Sequence, residues 1–299
     1  MKKILLLLTY LFFSGCTLTN LSAKGSTNHK ITILDQRSLA YPTNQDIPFA
    51  EISDLAYNPH THQLYMIGDK GYFYTFNASF SNKINQLDYR HAYTIKHHPD
   101  SEGLTLDHQG RLFISFEKQP KISQISTKGK LLRTLKLPKK LRNKKSYKNS
   151  NSIFEALTYH PQYGLLTAAE HPINKGKNNL QTIYALRGKE WHFKMENHPN
   201  NAITAMEVMD DNNLLVVERA YHGFSQPFIV SLKKVYLDRC NRQHFCPSTL
   251  LASFNSAKGW GYNNFEGLAK VGKNRYIMIS DNNDLAFFST TLLYFKVNP

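Results

Sequence analysis

Five times along this chain, a short apolar run, a turn and a second apolar run ending on an acid follow one another. The second runs end Ile67-Gly68-Asp69, Ser115-Phe116-Glu117, Ala168-Ala169-Glu170, Val217-Glu218 and Ile279-Ser280-Asp281. The first runs are centred on Leu55, Leu104, Leu157, Met206 and Leu268, so each acid follows its centre by 12 to 14 residues. Recurrence of this kind marks a repeat architecture, in which each unit buries its apolar face only against its neighbours. No helical pattern of about 10 residues separates the runs, which excludes a doubly wound α/β sheet.

Each unit offers further short strands after the first two, for example Tyr72 to Phe76 and Leu87 to Ile95 in the first unit. The pattern predicts an all-β propeller of five four-stranded blades. The last unit, ending at Thr291 to Val297, lacks a fourth strand, whereas Lys30 to Leu39 is a spare one near the start. Pairing the two closes the ring and leaves no open sheet edge. Centres lie 49, 53, 49 and 62 residues apart, and the longest interval holds an insertion around Cys240 and Cys246. Six blades is the alternative, requiring one unit diverged beyond recognition.

Before the first unit the chain reads as an export signal. Lys2 and Lys3 precede an apolar stretch from Ile4 to Phe13, and Phe13-Ser14-Gly15-Cys16 resembles a bacterial lipobox. The division expected is a leader over 1–16 with Cys16 as the lipidated residue, a polar tether over 17–29 and the propeller over 30–299. Thr17 stands where an aspartate would retain a lipoprotein at the inner membrane, so an outer-membrane, periplasm-facing position is expected. In that oxidising setting Cys240 and Cys246 are expected to form a local disulfide.

The formal net charge is +15, and one stretch from Lys128 to Lys148 carries ten lysines and arginines. Such a surface attracts polyanions through its long-range field. For an exported protein the partners expected are an anionic small molecule or envelope ligand, with no nucleic acid. A monomer is expected.

In a propeller the first strand of each blade lines the central channel. Acids at the starts of first strands (Glu102, Glu155, Glu266) and at the ends of second strands (Asp69, Glu117, Glu170, Glu218, Asp281) therefore gather near one mouth. Crowded carboxylates cannot all ionise without a compensating cation, and calcium accepts many oxygen ligands in flexible geometry. Gly103, Ala156 and Gly267, each following a leading glutamate, let neighbouring backbones approach. The alternative for Glu218-Arg219 and Glu117-Lys118 is a structural ion pair between blades. No Gly-x-Ser-x-Gly elbow occurs, so a serine-hydrolase triad is rejected. His97-His98, His171 and His222 read as loop histidines.

Particular stretches then carry a family resemblance. Pro99-Asp100-Ser101-Glu102-Gly103-Leu104-Thr105-Leu106-Asp107, with Gly110 to Glu117 behind it, resembles a blade of the calcium-dependent β-propeller phytases. Phe265-Glu266-Gly267-Leu268 running on to Ser280-Asp281-Asn282-Asn283 resembles another. With Phe154-Glu155-Ala156-Leu157 and Val216-Val217-Glu218-Arg219-Ala220-Tyr221, the whole is more similar to the phytase-like family described as "esterase-like activity of phytase". The resemblance implies calcium held by Glu102, Glu117 and Glu266, next by Glu155, with Asp69 and Asp281 assisting, and Arg219 contacting an anion. It implies a hydrolase of phosphate or other esters. The first unit departs from the phytases, having Glu51-Ile52-Ser53-Asp54 where they open on paired aspartates. The alternative function is a non-catalytic ligand-binding or envelope-scaffold lipoprotein.

Overall fold

Strand patterning changes with distance from the channel. The innermost strand of the first unit, β2 (Ile52–Asn58), is buried at all but its last residue, whereas the outermost, β5 (Ile84–Thr94), mixes buried with exposed positions. An inner strand has neighbours on both faces, so it reads as a continuous apolar run; an outer strand meets solvent. The structure is a computed structural model and describes residues 30–42, 47–95, 100–175, 179–223, 226–261, 263–282 and 289–299. The leader and tether over 1–29, including Cys16, lie outside the described residues, as do His97 and His98.

Five antiparallel sheets form the blades. The first runs from β2 through β3 (Gln63–Gly68) and β4 (Tyr72–Phe80) to β5, and the second contains β6 (Ser101–Leu106), β7 (Leu112–Phe116), β8 (Lys121–Ile125) and β9 (Leu131–Thr134). The third contains β10 (Ala156–His160), β11 (Gly164–Ala168), β12 (Leu180–Ala185) and β13 (Glu190–Lys194). The fourth contains β14 (Asn201–Val208), β15 (Leu214–Ala220), β16 (Ile229–Val235) and β18 (Ser248–Asn255). The fifth contains β19 (Asn264–Gly272), β20 (Arg275–Asp281) and β21 (Thr290–Val297), and its outer strand is β1 (Ile31–Leu39). β1 pairs antiparallel with β21, Ile31 opposite Val297 and Leu39 opposite Thr290, as the closing strand expected from the sequence.

The inner strands β2, β6, β10, β14 and β19 neighbour one another in a closed ring. An apolar cluster fills each gap between blades: Leu104 with Ile67, Phe154 with Phe113, Met206 with Trp191, Leu268 with Phe254, and Ile279 with Met66. The fold is thus five cores around an axis rather than one.

One blade departs from four strands. β17 (Phe245–Cys246), from the insertion in the fourth unit, pairs parallel with β13 of the third. The disulfide expected between Cys240 and Cys246 closes this loop. The basic stretch is also more than a loop. It contains a short helix, α1 (Lys139–Arg142), and buries Leu137, Leu141 and Tyr147 in the cluster between the second and third blades. No helix among the described residues is long and apolar enough to cross a membrane.

Candidate site at the channel mouth

Four of the five inner strands begin with the same irregularity. The register between first and second strands shifts between Ile52 and Asp54, Ser101 and Leu104, Ile203 and Ala205, and Phe265 and Gly267. A β-bulge re-aims the side chain it carries. Two residues before each strand centre the five units carry Ser53, Glu102, Glu155, Thr204 and Glu266. Three carboxyls and two hydroxyls therefore form an inner tier at one mouth.

The next position in each unit explains the glycines. A Cβ on Gly103 would stand 2.6 Å from Ser115 Oγ and 2.9 Å from the Leu157 amide nitrogen, and one on Gly267 would stand 2.8 Å from Asp54 Cα. Neighbouring blades touch backbone to backbone there. The equivalent residue of the first blade, Asp54, is buried and accepts hydrogen bonds from Leu55 N (2.8 Å), Leu104 N (2.7 Å) and Leu268 N (3.1 Å). One carboxylate thus ties three inner strands together. Sequence reasoning missed it, because Asp54 lies inside a strand and the amides it serves are up to 214 residues away.

Strand pairing also defines an outer tier. Asp69 N donates to Glu51 O and Glu117 N to Asp100 O, while Asn264 lies opposite Asp281. In the third unit Glu170 follows Ala168, the partner of Ala156, by two residues. The corresponding residue of the fourth unit is Arg219, opposite Ala202; Glu218, opposite Ile203, is one step earlier. Successive strand residues point to opposite faces. The expectation that Glu218 joins the mouth is therefore corrected. Its buried carboxylate accepts from Glu196 N (2.8 Å) and Asn201 Nδ2 (2.7 Å) and lies 3.6 Å from Lys233 Nζ, the structural pairing left open above but with Lys233, not Arg219.

The outer tier is thus four acids and one arginine. Arg219, expected to contact an anion, contacts two of the protein's own: Nη1 lies 2.6 Å from Glu266 Oε1 and Nη2 lies 3.0 Å from Glu170 Oε1. It also donates to Asn264 Oδ1 at 3.1 Å. Around it Glu102, Glu117, Glu155, Glu266, Asp69 and Asp281 act on one another electrostatically, so these six come to one mouth while Glu218 does not. Burial and mutual repulsion push the Glu102 and Glu155 carboxyls well above the usual range. Burial raises Glu117 to about 7, with Asp69 and Glu170 adding to it. Burial raises Glu266 to about 8 against the pull of Arg219. Arg219, and Lys118 beside Glu117 and Asp69, act on this group of seven carboxyls, counting Glu170, and protons or a bound cation relieve the repulsion that remains among them.

All these donors are oxygens, which suit a hard cation such as calcium. Among the described residues no three His, Cys, Asp or Glu side chains stand together as ready-made ligands. The mouth carries the charge and donor type for calcium, and Glu102, Glu117, Glu155 and Glu266 are the residues that would hold it.

Two cavities flank the channel. One of 600 Å³ opens on the same face, walled by the loop joining β13 to β14, the loop after β11 and Lys148. The other, of 490 Å³, lies at the opposite mouth among the hairpin turns, with His60, His108, Glu207, Lys270 and Lys273 in its lining.

Fold and site together define a five-bladed propeller with an acid-lined channel mouth. The sequence profile of the phytase-like family, described as "esterase-like activity of phytase", matches residues 47–284, and the chain belongs to that family. Comparison with curated proteins finds no match. Among solved structures, the PQQ-bound aldose sugar dehydrogenase of Streptomyces coelicolor is similar at 9% identity and TM-score 0.44, over 90% of this chain and 98% of that one. The virginiamycin B lyase of Staphylococcus aureus, in an inactive form with quinupristin, is similar at 11% identity and TM-score 0.43, over 94% and 98%. The WD40 domain of Neurospora crassa Pan2 aligns at 9% identity and TM-score 0.38, over 90% and 96%.

Proposed function

We propose that this protein is a calcium-dependent hydrolase of phosphate or other esters, acting at the acidic mouth. The observation that carries the reading is the two-tiered ring in which seven carboxyls crowd one mouth around Arg219, which pairs with two of them. Membership of the phytase-like family supports it. Glu102, Glu117, Glu155 and Glu266 would hold the ion, with Asp69 and Asp281 assisting. When bound, calcium supplies polarisation of the scissile ester and a lowered pKa for an attacking water. Arg219 holds Glu170 and Glu266 in place beside the other ion-binding acids. The lipobox-like Cys16, and a disulfide suited to an oxidising compartment, support a lipid-anchored protein facing the periplasm.

Calorimetric titration with calcium, alongside hydrolysis of p-nitrophenyl phosphate and p-nitrophenyl acetate, tests the reading. Saturable calcium heat and calcium-dependent turnover are expected, and Glu102→Gln should lower both at least about tenfold with the fold intact. Calcium binding without turnover of either ester leaves a non-catalytic binding propeller.

A further inference from the structure

The 600 Å³ cavity beside the acidic mouth contains a cation without a carboxylate partner. Lys148 Nζ lies 3.0 Å from His171 Nε2 and donates to Asn200 Oδ1 at 3.2 Å; among the described residues no acid pairs with it. An ammonium only donates, so His171 Nε2 must accept, and the ring is neutral with its proton on Nδ1. Burial also favours the neutral ring, pulling the His171 pKa below its ordinary value.

The acids nearest the cavity have other basic partners: Glu170 shares Arg219 (3.0 Å) with Glu266 and accepts from Ser152 Oγ at 2.6 Å, and Glu196 in the wall shares Lys233 (2.8 Å) with Glu218. Lys148 is the cation of the lining that has no carboxylate within ion-pair distance among the described residues. The rest of the lining is polar but uncharged: the side chains of Asn179, Asn197 and His198 have no partner among the described residues. Amides both donate and accept, as vicinal hydroxyls do. A volume of 600 Å³ lies within the ordinary range for small-molecule sites.

We infer that this cavity binds a hydroxyl-bearing carboxylate, a sugar acid, with the carboxylate on Lys148 and the hydroxyls on the asparagines and His198. One ammonium matches one negative charge, and Glu170 Oε2, 3.6 Å from His171 Nε2, opposes a dianion such as a phosphate monoester. The site borders the channel acids at Glu170, and the inference does not depend on whether those acids catalyse.

The test is binding of gluconate, glucose 6-phosphate and glucose to the purified full chain, with a chelator present so that calcium at the mouth plays no part. Gluconate is expected to saturate, with glucose and glucose 6-phosphate each at least about tenfold weaker. Lys148→Met should weaken gluconate about tenfold or more. Lys148 is exposed, so that variant should fold, and a circular dichroism spectrum checks it. Independently, the ¹⁵N resonance of His171 Nε2 should move on gluconate binding as Lys148 turns to the ligand. The inference is overturned if gluconate does not saturate, if Lys148→Met binds it as the wild type does, or if glucose 6-phosphate binds more tightly.

Discussion

At the scale of single residues, the mouth depends on what glycine lacks and on what Arg219 supplies. Gly267→Ala brings a methyl to 2.7 Å from Ile279 Cγ2 and 2.8 Å from the backbone of Asp54, so the first and fifth blades must separate. Overpacking of this kind costs about 2 kcal/mol. Gly103→Ala, against Leu157 N at 2.9 Å, should cost as much. Urea denaturation of the two variants checks both, and a loss under about 0.5 kcal/mol would show the inner strands to be looser than described. Arg219→Met removes the counter-charge of Glu170 and Glu266. Breaking a pair of this burial typically costs about 3 kcal/mol. The loss should shrink on acidification, because carboxyls that take up protons no longer need the guanidinium. A denaturation series of the variant from pH 5 to pH 8 reads this.

Among elements, the insertion after β16 shows how an added loop is held. Its β17 docks on β13 of the neighbouring blade, where His192 N donates to the His244 carbonyl at 2.8 Å, and the disulfide keeps that segment short. A bridge across so small a loop is worth about 2 kcal/mol, which in a propeller of this size should shift the melting temperature by about 3 °C. The Cys240→Ser, Cys246→Ser double variant should show that drop, and hydrogen exchange should quicken at β17 and β13 but not at β19. Elements are also where sequence reading succeeded most and failed most instructively. Five first strands, their turns and the closing strand were legible, because inner strands are apolar runs and turns carry Asn, Asp, Pro and Gly. Glu218 was placed at the mouth, one residue before the position that Arg219 occupies, because register is a property of two strands and a slip of one residue exchanges the faces.

For the whole molecule, the burial of so many carboxyls gives folding a pH dependence of definite sign. Burial raises Glu117 and Glu207 to about 7 and Glu266 to about 8, from an ordinary 4.5, with Glu102 and Glu155 raised as well. A carboxyl raised in this way binds its proton more tightly folded than unfolded. Its contribution is full below the unfolded pKa and is lost as pH rises through the folded one. His160, His171 and His192 are lowered, so they act oppositely, but only below their ordinary 6.5. Above that the carboxyls decide. The metal-free protein should lose at least about 3 °C in melting temperature between pH 6.5 and 8.5. Calcium should restore it if the ion takes the place of the lost protons. A flat metal-free profile would mean that the mouth is more hydrated than its packing indicates.

Period and composition sufficed for the number of blades, the closing strand, the local disulfide and the gathering of acids at one mouth, since each follows from short-range pattern repeated along the chain. Lys148 was legible only as one lysine in a basic run and His171 only as a loop histidine. Asp54 was visible as a residue but not as the tie between three strands. What they do depends on contacts between positions 23, 50 and 214 residues apart. Those distances are set by closing the ring, so the asymmetry of the mouth, with Arg219 in the fourth unit where the other four carry acids, was decided by the tertiary structure.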